Sequence, residues 1–166
     1  MVFTESCSSI STFPANKNEN QFSLLNLGDS ESDVEKAAGK PSELRNSDDE
    51  KLWIYNNTDA YSTQRAAITF DSKTGLVNGV TIIPLVNDID SKLNYLQSKK
   101  FPASDYVEAP LGRCHRDYFP KEVFYISPSK GFIIVLDSVS NSVESYSWTT
   151  TQYATDLIKK IKNCER

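Results

Sequence analysis

Histidine and methionine each occur once in these 166 residues, and cysteine three times. That scarcity removes several kinds of chemistry. Cys7, Cys114 and Cys164 form no C-x-x-C pair, so neither a zinc site nor any other metal centre is expected. The six glycines fall in no phosphate-cradling G-x-x-x-x-G-K or G-x-G-x-x-G pattern, and no G-x-S-x-G elbow exists. His115 sits beside Cys114, with Asp117 nearby. Adjacent side chains rarely point at one another, and a catalytic triad draws on distant segments. The expectation is therefore no catalytic residue, no cofactor and no enzyme. No run of 18 apolar residues is present, so no transmembrane segment is expected. The first residues also lack a basic stretch followed by an apolar core, so no signal peptide is expected as written. A basic excess is missing too: 18 Lys and Arg face 22 Asp and Glu. Phosphate binding needs a clustered basic surface, so nucleic acid is not an expected partner.

What is present suits a folded chain, with 39% hydrophobic and 24% charged residues. Residues 1–21 are rich in Ser, Thr and Asn and read as a flexible leader. The residues before Cys7 are not the small apolar ones of a lipid-attachment box. Residues 22–84 read as a first module and 85–166 as a second, sharing one compact unit. Cys114 and Cys164 suit either one disulfide, as in a secreted protein, or two free thiols.

Residues 22–27 read as a short strand or a hydrophobic lead-in. Ser30 and Asp33 have capping-box spacing ahead of a helix on Val34, Ala37 and Ala38, which Gly39 stops and Pro41 keeps from resuming. Residues 42–51 read as a polar loop. Strands follow at 52–55, 65–71 and 76–83, with Gly75 supplying the positive φ of the intervening turn. A second helix spans 91–101, packing on Leu93 and Leu96. Strands recur at 106–109, 122–126, 132–136 and 143–148. The run 132–136 is apolar on both faces and reads as central. A final amphipathic helix carries Tyr153, Ala154, Leu157, Ile158, Ile161 and Cys164 on one face.

The hairpin at 65–83 has an echo 66 positions later. Ile68, Asp71, Ser72 and Val77 fall on Ile134, Asp137, Ser138 and Val143. Helix, then proline, then strands recur in the same order. Gly75 becomes Asn141 in the second copy, and Trp53 has no clear counterpart. The expected fold is α+β: an antiparallel sheet packed on short helices, made of two tandem helix-plus-hairpin modules with a C-terminal helix.

Gly28, Ser30, Val34, Gly39 and Pro41, then Trp53 and Tyr55, then Ile68, Phe70, Asp71, Gly75 and Val77 resemble the small outer-membrane lipoprotein family SmpA/OmlA. Two such modules in tandem resemble the β-lactamase inhibitor proteins. The resemblance implies a non-enzymatic protein-binding or scaffolding module of the bacterial cell envelope. The alternative is a secreted or periplasmic inhibitor or immunity-type protein that blocks an enzyme through its sheet face. The implied location is periplasmic, outer-membrane-associated or secreted. Aromatic side chains anchor interfaces, so Trp53, Tyr55, Tyr61, Tyr106, Tyr118, Tyr146 and Trp148 are the candidate binding residues. For the four on strands, burial in the core is the competing expectation.

Overall fold

In the computed structural model, which describes residues 21–47, 50–56, 63–84, 89–110 and 122–164, eight strands form one antiparallel sheet. They are β1 (Glu43–Asn46), β2 (Glu50–Asn56), β3 (Thr63–Asp71), β4 (Val77–Pro84), β5 (Val107–Pro110), β6 (Glu122–Ser127), β7 (Phe132–Asp137) and β8 (Ser142–Thr149). Their spatial order is β1-β2-β3-β4-β8-β7-β6-β5. Two four-stranded meanders therefore lie side by side, joined where β4 meets β8.

Helix α1 (Glu31–Ala38) begins as its spacing predicts. The Asp33 N–H donates to Ser30 Oγ, and the Ser30 N–H donates to the Asp33 carboxylate. Both bonds satisfy donors that the first turn leaves open. Gly39, at φ +75, ends the helix by donating its N–H to the Glu35 carbonyl. Helix α2 (Leu93–Tyr95) runs on as a π-helical turn, Leu96–Lys100. Helix α3 (Thr151–Cys164) closes the described chain.

Two local expectations are corrected. Residues 21–24 form a 3-10 turn rather than part of a strand. Phe22 and Leu25, three residues apart, both enter the core, and that is a helical spacing rather than an alternating one. The segment 43–46, read as loop, is the edge strand β1, paired from Glu43↔Ile54 to Asn46↔Lys51. All four of its residues are exposed. A strand held by backbone bonds alone shows no apolar alternation, which is the signal that pattern reading uses.

The sheet has two unlike faces. On the first, Trp53, Tyr55, Ile68, Phe70, Val80, Ile82, Ile134, Leu136 and Tyr146 pack against Phe22, Leu25, Val34, Leu96 and Phe101 in one continuous core. On the second, Ala109, Ile126 and Ile133, with Phe124 and Val135, pack against Ala154, Leu157, Ile158 and Ile161 of α3. Strand β7 is thus apolar on both sides because both sides are covered.

The two hairpins share one register. Ala66↔Ile82, Ile68↔Val80 and Phe70↔Val77 in β3–β4 match Phe132↔Trp148, Ile134↔Tyr146 and Leu136↔Val143 in β7–β8, each displaced by 66. A bulge falls between Thr69 and Phe70 in one hairpin and between Val135 and Leu136 in the other, at the same displacement. The turns agree as well. Asp71 Oδ1 accepts from the N–H groups of Lys73 and Thr74, and Asp137 Oδ1 accepts from those of Val139 and Ser140. Gly75 has φ +69 and Asn141 has φ +54. Asparagine tolerates the left-handed region better than most residues, so the turn survives the loss of its glycine.

Candidate functional site

Where β4 meets β8, Thr81 lies opposite Ser147, flanked by the pairs Val80↔Trp148 and Ile82↔Tyr146. Thr81 and Ser147 are themselves 66 positions apart, so the seam has an approximate local two-fold axis between them. The large residues point toward α1 and α2. Their small neighbours point the other way, because side chains alternate along a strand. On the second face the seam therefore carries Thr69, Gly79, Thr81, Ser145, Ser147 and Thr149, and the N-terminal half of α3 stands beside it. The result is a partly open cleft of about 290 Å³, bordered by Tyr153 and Leu157 of α3.

Hydroxyl groups and apolar side chains, Phe124, Ile133, Val135 and Leu157 among them, share the lining of this cleft. Thr149 Oγ1 donates to the Asn78 carbonyl, which ties β8 to β4. The side-chain hydroxyls of Thr69, Thr81, Ser145, Ser147 and Tyr153 make no hydrogen bond among the described residues, and Tyr153 is 49% exposed. Gly79 leaves a notch in the floor. A Cβ there would meet Thr149 Oγ1 at 3.5 Å and Thr69 Cβ at 3.7 Å, which is ordinary van der Waals contact. Glu50 is the one charged residue in the lining. Among the described residues, no group of three or more His, Cys, Asp or Glu is placed to hold a metal ion.

The aromatic candidates lie elsewhere. Trp53, Tyr55 and Tyr146 are 6%, 1% and 1% exposed, with their rings in the core beneath the helices. Tyr55 OH donates to the Gly39 carbonyl at the end of α1, and burial pushes its pKa up to about 12. Trp148 is half-buried and donates its indole N–H to the Leu25 carbonyl. Tyr106 OH donates to the Phe101 carbonyl at the end of the π-helical turn that continues α2, and burial raises its pKa strongly. Tyrosine hydroxyls thus fasten both helix ends. These five rings do structural work inside the protein rather than forming one exposed surface. Tyr61, Tyr118 and Cys114 lie outside the described residues, as does the side chain of Cys164.

One nearly buried polar cluster, all of it from residues 85–166, links α2 to β8. Lys100 Nζ lies 2.6 Å from Asp90 Oδ2, and both side chains are nearly buried. Tyr146 OH donates to the same carboxylate oxygen at 2.8 Å and accepts from Lys100 at 3.0 Å. The ammonium also sits 4.8 Å from the centre of the Tyr146 ring. The triad pins α2 to the middle of the sheet. A second carboxylate of note is Glu144, whose pKa is raised by burial and then by the nearby Glu122.

The alternation along 76–83 sets Gly79 and Thr81 on the face opposite Val80 and Ile82, so the small polar face is legible in the sequence. What it could not supply was the β4–β8 pairing that sets the two polar rows side by side.

No protein-family model matches the sequence, and no curated protein matches it significantly. Two solved structures are partly similar. An extracellular protein containing a SCP domain from Bacillus anthracis str. Ames aligns with a TM-score of 0.45 at 13% identity, over 89% of this chain and 50% of that one. A cysteine-rich secretory protein from Staphylococcus aureus subsp. aureus Mu50 aligns with a TM-score of 0.45 at 8% identity, over 76% of this chain and 45% of that one. The chain spans about half the length of each. Likeness at this level assigns neither a role nor a location.

Proposed function

We propose that this protein is a non-enzymatic protein-binding or scaffolding module of the bacterial cell envelope, made of two tandem SmpA/OmlA-like helix-plus-hairpin units. The shared register, bulge and turn chemistry of the two hairpins support the tandem reading. The observation that carries the binding reading is the second face of the seam. There the centre of an eight-stranded sheet presents small polar side chains beside an exposed tyrosine, where a larger apolar set would have closed the gap against α3. In this reading the protein works at the periplasmic or outer-membrane surface, or after secretion.

A photo-crosslinking residue placed at position 81, compared with one at the exposed Lys36 of α1, tests the proposal in bacterial envelopes. A discrete protein adduct from position 81 that is lacking from position 36 supports it. Equal labelling from both positions, or none, refutes it. The inhibitor or immunity-type reading rests on the union of two meanders into one broad sheet. It requires the adduct to contain a hydrolase whose activity falls when the two proteins are mixed.

A further inference from the structure

We infer that the cleft between the β4–β8 seam and α3 is a binding site for a neutral, polyhydroxylated ligand of the carbohydrate class. The inference stands on the cleft itself and does not depend on a protein partner. Its lining contains no lysine, arginine or histidine, so nothing there would offset the charge of a phosphate or carboxylate. With Glu50 as its one carboxylate, it is equally unsuited to a cation, which takes several oxygen ligands. What it offers is hydroxyl groups. Those of Thr69, Thr81, Ser145 and Ser147 lie on adjacent strands around one seam and are not used within the described structure.

Each hydroxyl both donates and accepts. A ligand whose own groups do the same pairs with such a row in many arrangements. A purely apolar ligand would displace water from the row and leave it unpaired, at a cost. Tyr153 and Leu157 supply the apolar wall on which the C–H face of a sugar ring can lie. A volume of about 290 Å³ is at the small end for ligand pockets and suits one or two sugar units of a longer chain. The Gly79 notch lets the ligand approach the backbone of the floor.

The test is an amide-shift titration of the full chain, labelled with 15N, using maltotriose, cellotriose and triacetylchitotriose, with inorganic phosphate as the anionic control. At least one trisaccharide should shift the amides of Thr81, Ser147 and Tyr153 saturably, and phosphate should not. Thr81→Val with Ser147→Ala keeps shape but removes two hydroxyls. This variant should bind about tenfold more weakly or worse with its thermal midpoint unchanged. Gly79→Ala, which fills the notch without a clash, should weaken binding in the same direction. The inference is overturned if none of the three sugars gives a saturable shift at these residues, if phosphate gives the same shift, or if both variants bind as the parent does. Loss of sugar binding with the position-81 protein adduct retained would sink this inference and leave the protein-partner reading standing.

Discussion

Three glycines form a graded test of how backbone conformation and close approach add. Gly131, in the turn between β6 and β7, has φ +71, and an added Cβ would lie 2.0 Å from the Thr149 carbonyl oxygen. The Thr149 N–H also donates to the Gly131 carbonyl at 2.9 Å. Gly75 has nearly the same φ, +69, but nothing within 4 Å of its added Cβ. Gly79 has ordinary contacts and no left-handed φ. Gly75→Ala should therefore cost only the conformational penalty, about 1–2 kcal/mol. Gly131→Ala should cost that plus the displacement of Thr149 and its hydrogen bond, about 2–4 kcal/mol in all. Gly79→Ala should be neutral or slightly stabilising, because alanine restricts the unfolded chain. Urea unfolding with a shared m-value resolves these differences as midpoints. Equal losses for Gly131→Ala and Gly75→Ala would refute the close approach of the β6–β7 turn to the end of β8. Asn141 extends the series, and Asn141→Ala should lose stability where Asn141→Gly does not.

Other perturbations address the polar devices. Lys100→Met strands the Asp90 carboxylate beneath α2 and should cost about 3–5 kcal/mol, and adding Asp90→Asn should recover part of that loss in the same unfolding assay. Tyr146→Phe removes one hydroxyl from the triad and should cost about 1–3 kcal/mol. Ser30→Ala breaks the capping box and should cost about 1 kcal/mol, with hydrogen exchange accelerated first in α1. Asp105 accepts from Ser127 Oγ and from the Ser129 N–H, and these bonds hold its pKa below the usual 3.8. Because the folded pKa is lowered, its contribution is present above the unfolded value and fades as pH falls through the folded one. The thermal midpoints of the parent and Asp105→Asn should differ at neutral pH and converge in acid; a gap that persists unchanged in acid would remove Asp105 from that role.

Much of the fold was legible because strands and caps speak in short-range patterns. Ser30 and Asp33 stand at capping-box spacing, and residues 132–136 announce a strand covered on both sides. The offset of 66 was visible in four identities and carried the hairpin register with it. Other features were silent for physical reasons. Strand β1 buries no side chain, so its pairing leaves no hydrophobic trace. Phe22 and Leu25 sit in a stretch too short to display a helical period. Asp90, Lys100 and Tyr146 come together only once α2 lies on the sheet. The aromatic residues drew attention as interface anchors, yet Trp53, Tyr55 and Tyr146 show that a sheet beneath helices claims its large rings for the core first. The cleft is made by the small residues between them.

The meeting of β4 and β8 also determines which strand edges the protein leaves open. Each meander, taken alone, would end in a strand of eight residues that includes valine, isoleucine or aromatic residues, a template for another chain. Paired with each other, these two strands hide both templates in the middle of the sheet. The outermost strands are then β1, four residues long and bearing Glu43 and Arg45, and β5, which ends in Pro110. Short length, charge and proline all discourage a further strand from adding. Joining the two halves thus protects against aggregation: the most adhesive edge of each half is spent on the other, and the surroundings meet only the least adhesive ones.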